Sequence, residues 1–344
     1  ASVQQVYSRI MEDLDEAITL LTGVSARADK AEISVEVAYG LRARANLLMG
    51  KWAAAASDAA KAYGTSAPYS VADVSQPTFY NATDNAWIWG IVVTTEDYLA
   101  KTGIVNWPSN LCSLTGMGYT TAASATDVAY RLINKNLWAK IPETDVRKGW
   151  WVDEDLHSPV LDNGLGEDYA YYWANGMFNG GTFPSKFSPY TNVKFGPDNG
   201  TFADTDNAQD WPLMRVEEMK LIEAEALGRD NLATGKQKLE EFVRQYRDPS
   251  YTCTAGSLDA FIDEVWFQRR VELWGEGFAL FDILRLKKPI IRQGANYPIN
   301  STFAEIAAEA PIMIYRIPEA ETSVNSAITE ADNNPAAMAP TPVN

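Results

Sequence analysis

Two carboxylates four residues apart, Glu272 and Glu276, stand in the stretch RRVELWGEGFALFDILRLKKPI, among Arg269, Arg270, Asp282 and Arg285. A carboxylate pair is what a glycosidase uses as acid and base, with the two groups about 5 Å or about 6.5–9.5 Å apart across a cleft. One helix would place both on one side, but Gly275 and Gly277 weaken helical continuity between them and beyond. The same charges also suit ion pairs that lock one helix to the next. We expect that second use: Arg269 or Arg270, Glu272, Glu276, Asp282 and Arg285 paired internally.

Other chemistry is narrowed by composition. His157 is the single histidine, so multi-histidine zinc sites are excluded. A Ser-His-Asp or Cys-His nucleophile would have to use it, and it sits in DEDLHSPV, which reads as a solvent-facing acidic loop. Cys112 and Cys253 lie far apart, without metal spacing, and read as two ordinary thiols. No Gly-rich phosphate loop follows a strand, and no cofactor is expected. Asp198-Asn199 and Asp204-Thr205-Asp206-Asn207 carry oxygen ligands of the calcium type but lack the twelve-residue spacing, so they read as solvated turns and no metal is expected. With 45 acidic residues, some pair is always close; DNGLGED and WWVDED have no distinguishing context, and no catalysis is expected. The net charge of −16 argues against nucleic acid and against docking to anionic lipid.

The elements that must position any site follow from periodicity. Val6, Ile10, Leu14, Ile18 and Leu21 predict an amphipathic helix ending before Gly23. Helices are predicted over Val35–Met49 and Trp52–Tyr63, with Gly50 as the turn. Small Ala43, Ala55 and Ala62 and the aromatic Trp52 match the layout of a tetratricopeptide repeat, with Pro68 one place later than its consensus. A second helical block starts near Pro212: one helix from Leu213 to Gly228, a partner marked by Leu239, Phe242, Val243 and Tyr246, and a third from Leu258 to Trp274. No apolar run approaches the roughly 18 residues of a membrane span. The opening ASVQQVYSRI lacks the features of a signal peptide, and the chain reads as mature or trimmed.

Between the helical blocks, residues 65–211 hold 23 of the 39 aromatics and eight of the eleven tryptophans. Long loops this rich in aromatics are functional rather than disordered. A strand is predicted in AWIWGIVV, Ala86–Val93. Alternation in DYAYYWANGMF predicts a second, with Tyr169, Tyr171 and Trp173 on one face and Tyr172 on the other. The expected architecture is mainly α: a helical scaffold at 1–64, an irregular aromatic-rich subdomain at 65–211, and scaffold plus tail at 212–344, together one domain.

Several segments, in order, resemble the SusD/RagB family of outer-membrane nutrient-binding lipoproteins. RRVELWGEGFALFDILRLKKP is similar to that family's signature helix. WPLMRVEEMKLIEAEAL resembles its upstream helix, through Leu213, Met214, Arg215, Glu218, Leu221, Ala224 and Glu225. Ile317, Pro318, Glu321, Asn325, Asn334 and Pro335 match its closing pattern, and IMEDLDEAITLL also fits. The family's lipidated cysteine and further N-terminal helical repeats have no counterpart in this chain. The resemblance implies a tetratricopeptide-type scaffold carrying an irregular ligand-facing insertion. It implies non-enzymatic capture of oligosaccharide, or of peptide in some relatives, at the cell surface. The ligand would then pass to a TonB-dependent transporter of the SusC type, and a lipid anchor on the precursor would hold the protein at the outer membrane.

Sugar capture needs flat rings for the C–H face of a pyranose, and amides or carboxylates for its hydroxyls. Trp107, flanked by Asn106 with Asn110 close by, sits in a loop after the strand-like IWGIVV. In starch-binding members of the family, a loop Trp followed about ten residues later by a Tyr forms part of the ligand platform. That resemblance assigns Trp107 and Tyr119. Tyr171 and Trp173 are the further candidates. Trp150 and Trp151, near Asp145 and Arg147, resemble a structural element of the family. Trp52, Trp266 and Trp274 fall on scaffold helices as packing.

Overall fold

A computed structural model describes residues 2–24, 27–101, 111–114, 131–177, 186–202, 208–297 and 305–335. The N-terminal periodicities become α1 (Val3–Leu21), α2 (Val35–Leu48) and α3 (Trp52–Tyr63). Ser2 and Gln5 close a capping box at the start of α1, satisfying two of the backbone N–H groups that a helix start leaves free. A strand, β1 (Trp87–Ile91), follows, then α4 (Pro159–Leu165), α5 (Glu167–Ala174) and β2 (Trp211–Arg215). The second helical block is α6 (Val216–Asp230), α7 (Leu232–Tyr246) and α8 (Leu258–Glu272). The short α9 (Ala279–Arg285) and the pair β3 (Ile290–Ile291) and β4 (Glu305–Ile306) come last. Among the described residues, no helix is long and apolar enough to cross a membrane.

The chain divides into two compact units, 1–133 with 137–276, and 134–136 with 277–344. In the larger unit the two helical blocks form one layer, because α6 packs on α3 and α2 as well as on α7 and α8. Ala43, Ala55, Ala59 and Ala62 are buried in that layer, where small side chains let helices approach closely.

Two expectations are corrected here. The second helical block does not start near Pro212. Trp211–Arg215 instead pairs antiparallel with β1, Trp87 opposite Arg215 and Ile91 opposite Trp211. Proline biases the residue before it toward extended backbone, and the Val216 N–H donates to the Ala86 carbonyl at 2.8 Å, so the helix begins after the strand. Nor does Gly228 end the helix: α6 runs on to Asp230. Gly228 is required by packing instead, since a Cβ there would lie 2.0 Å from the Phe261 ring.

Four of the seven described tryptophans of the middle segment are core. Trp87, Trp150, Trp151 and Trp173 are fully buried with Phe79, Phe187, Tyr190 and Phe195. Trp150 meets Phe79 edge-on at 5.4 Å and donates its indole N–H to the Val74 carbonyl at 3.0 Å. Trp151 meets Trp274 at 5.7 Å. The structural reading of the Trp150–Trp151 pair holds, as does the Asp145–Arg147 ion pair at 2.6 Å. Cys112 and Cys253 are both buried and form no disulfide.

In the smaller unit the closing segment clasps itself. Asn333 accepts from the Ile317 N–H at 2.9 Å and donates to the Ile317 carbonyl at 3.1 Å. Asn334 donates to the Tyr315 carbonyl at 2.6 Å, and Asn325 donates to Glu321 at 2.7 Å. Asn333 and Asn334 thus fold the tail back on Tyr315–Ile317, and of these Asn334 belongs to the closing pattern.

Candidate functional site

Glu272 is wholly buried, the Glu276 side chain is nearly enclosed, and both are saturated with cations. Glu272 accepts from Arg247 at 2.8 and 2.9 Å, from Arg215 at 3.3 Å and from Arg147 at 3.4 Å. Glu276 accepts from Arg215 at 2.8 and 2.9 Å and from Lys194 at 2.7 Å. Helix α8 stops at Glu272, and Gly275 and Gly277 take the left-handed φ values of 81° and 88°. Glu276 therefore comes off a turn rather than off the helix. With Asp145 and Glu217, four carboxylates face Arg147, Lys194, Arg215 and Arg247, and the formal charges cancel. The ion-pair reading of the stretch is right in kind. Its geometry differs from expectation, since the cations on Glu272 and Glu276 come from outside the stretch; Asp282 and Arg285 do pair with each other, at 2.7 Å.

The electrostatics follow from this geometry. Burial alone pushes a carboxyl pKa up, but Arg247, Arg215 and Arg147 outweigh it and hold Glu272 well below the usual range. Glu276 is likewise lowered: burial opposes it, and Arg215 and Lys194 win. Burial dominates at Lys194, bringing its ammonium down to about 8 despite Glu276. Its Nζ lies 4.7 Å from the Phe79 ring centroid and 4.9 Å from that of Trp150. Burial raises the Glu217 carboxyl against the pull of Arg215 and Arg247, but its side chain is fully enclosed and has no path to a substrate, as a general acid would need.

A pH dependence follows. Unfolded, Glu276 takes up its proton near pH 4.3; folded, it does so only at lower pH. Its contribution is complete above that range and is lost as pH falls through it. The stability advantage of the wild type over Glu276→Gln should therefore shrink steadily from about pH 6 to about pH 3. Urea unfolding at a series of pH values measures it, and a constant difference would contradict the assignment.

The solvent-facing aromatics lie elsewhere, on α4 and α5. Ser158 caps α4, accepting from the Val160 and Leu161 N–H groups and donating to the Gly149 carbonyl. Gly166, at φ 84°, turns the chain into α5, whose first turn carries Glu167 and Asp168 where the helix dipole favours negative charge. Ala170, Trp173 and Ala174 face the core. Tyr172 projects from the opposite side at 49% exposure, flanked by Tyr169 at 39% and Tyr171 at 38%. His157 stacks on Tyr171, with ring centroids 5.3 Å apart and planes 22° apart, and Tyr172 meets Tyr171 edge-on at 5.8 Å.

This arrangement corrects two expectations. DYAYYWA is a helix, not an alternating strand: Ala170 and Ala174, four apart after an acidic first turn, were the available signal. Tyr171 and Trp173 consequently point to different sides. Trp173 is 1% exposed and packs edge-on against Phe202 at 5.2 Å. His157 is half-buried under a tyrosine rather than free in solvent. Asn106, Trp107, Asn110 and Tyr119 lie outside the described residues, as do Asp204, Asp206 and Asn207.

The SusD family model matches residues 134–335, more than half of the chain. The chain belongs to the SusD family. Solved structures agree on the fold. A SusD-like carbohydrate binding protein from Bacteroides vulgatus superposes with a TM-score of 0.70 at 22% identity, over 98% of this chain and 67% of that one. A SusD superfamily protein from Bacteroides thetaiotaomicron gives 0.70 at 20%, with the same coverage. Another from Parabacteroides distasonis gives 0.64 at 17%, over 94% and 68%. The chain thus spans about two thirds of the length of these proteins. No curated protein matches it. In this SusD-family chain the signature residues are framework: Arg215 and Glu272 join the buried ionic cluster, Glu218 pairs with Arg44 at 2.6 Å, and Glu225 pairs with Arg229 at 2.9 Å.

Proposed function

We propose that this SusD-family protein captures oligosaccharide or polysaccharide without cleaving it and delivers it to a TonB-dependent, SusC-type transporter. On this reading it works at the cell surface of the outer membrane, held by a lipid anchor on its precursor. The observation that carries the proposal is the set of exposed rings, Tyr169, Tyr171 and Tyr172, on a helix whose opposite face is core. A ring fixed by a packed helix offers a flat surface without losing much side-chain freedom on binding, which suits the C–H face of a sugar. The burial and full pairing of Glu272 and Glu276 support a role without catalysis. From the sequence reading, Trp107, Asn106, Asn110 and Tyr119 are proposed as a further part of the ligand surface.

Affinity electrophoresis against a polysaccharide panel tests this directly. Tyr172→Ala and Trp107→Ala should each weaken retention about tenfold, the size of one lost ring contact, with unfolding midpoints close to wild type. Release of reducing sugar would make the protein an enzyme. Binding of peptides but no glycan would point to peptide capture instead.

A further inference from the structure

The chain segment that carries the tyrosines is strongly one-signed. From Trp151 to Met177 the chain carries Asp153, Glu154, Asp155, Asp162, Glu167 and Asp168 and no Lys or Arg. Glu154, Asp155, Glu167 and Asp168 are exposed. Glu154 is fixed by the Tyr190 hydroxyl, which donates to it at 2.6 Å. Folding brings these groups together. Burial raises the Asp162 carboxyl, attraction from His157 opposes that, and repulsion from Glu167 and Asp153 adds to it. The acids of the 153–155 turn and of the α5 start therefore share one field with the histidine under Tyr171. Lys186, just beyond the C-terminal end of α5, is the one basic side chain this part of the chain adds.

We infer that the tyrosine surface selects uncharged glycans and rejects uronate-bearing or sulfated ones. This inference rests on the glycan reading above and adds the charge class of the ligand. An anionic polymer brings repeated negative charge within a Debye length, about 10 Å at 0.1 M salt, of several carboxylates. Repulsion at that range lowers both encounter and residence. A neutral chain feels none of this.

The test uses the whole protein with starch, galactomannan, xyloglucan and a β-1,3-glucan as neutral probes. Polygalacturonate, alginate and chondroitin sulfate are the anionic ones. Whichever neutral glycan binds is also oxidised at its primary alcohols to the matching polyuronate. At low salt the oxidised form should bind at least about tenfold more weakly, and raising salt to about 1 M should close most of that gap. Asp155→Asn with Glu167→Gln and Asp168→Asn should narrow it to about threefold at low salt, leaving the neutral glycan unchanged. The salt series on the wild type stands even if that variant folds poorly. Anionic glycans held as tightly as neutral ones, and released by Tyr172→Ala, would overturn the charge inference and leave glycan capture intact. A neutral preference indifferent to salt would also overturn it. Retention of no glycan at all would remove the glycan reading itself, and this inference with it.

Discussion

Glu272→Gln should cost about 3–5 kcal/mol of unfolding free energy, the range for breaking a buried ion pair from one side. The amide keeps the volume but leaves Arg147, Arg215 and Arg247 in a dry site with one carboxylate fewer. Neither guanidinium protons nor their charge can be given up at accessible pH. Water cannot reach the three cations, whose side chains are fully buried. The loss is thus the penalty of stranded charge, not the net value of the cluster. Glu167→Gln, on the exposed first turn of α5, should change stability by less than about 0.5 kcal/mol. Urea unfolding with an unchanged m-value measures both. A Glu272→Gln variant of full stability that had lost ligand binding would return the residue to the functional site.

Gly235→Ala should destabilise the helical layer by about 1–3 kcal/mol, despite the roughly 1 kcal/mol that alanine gains over glycine in a helix. An added Cβ would sit 2.3 Å from the Gly228 Cα, 2.6 Å from its nitrogen and 2.8 Å from the Ala224 carbonyl oxygen. All three neighbours are backbone, so no rotamer change relieves the clash and α7 must move off α6. Gly256, whose added Cβ would meet nothing within 4 Å, is the control, and Gly256→Ala should be near neutral. Thermal unfolding of the two variants separates close packing from general intolerance of substitution.

Where a signal was local, the sequence carried it. Periodicity placed α2, α3 and α8 within two residues of their observed ends, because a helix buries a stripe that repeats every three or four positions. The ordered motifs identified the family without any structure. Reading failed where a segment's partner lay far away in the chain. Leu213–Arg215 reads as helix because β1, the hydrogen-bonding partner of the strand it belongs to, is more than a hundred residues upstream. The tyrosine run reads as a strand because every second residue is aromatic, although Ala170 and Ala174 mark the face that packs. Gly228 reads as a stop signal because the Phe261 ring that requires it belongs to another helix.

By itself, then, the sequence determined a mainly helical SusD-family scaffold, an acidic chain with a single histidine, and an aromatic-rich insertion. Only the tertiary structure decided what Glu272 and Glu276 do. Their cations sit on Arg147, Lys194, Arg215 and Arg247, brought in from separate parts of the chain. A carboxylate's role is set by the field around it, and that field is assembled by packing. The same holds for the tyrosines: helix α5 buries Trp173 and turns Tyr172 to solvent, so the ring available to a ligand is chosen by which face the core takes.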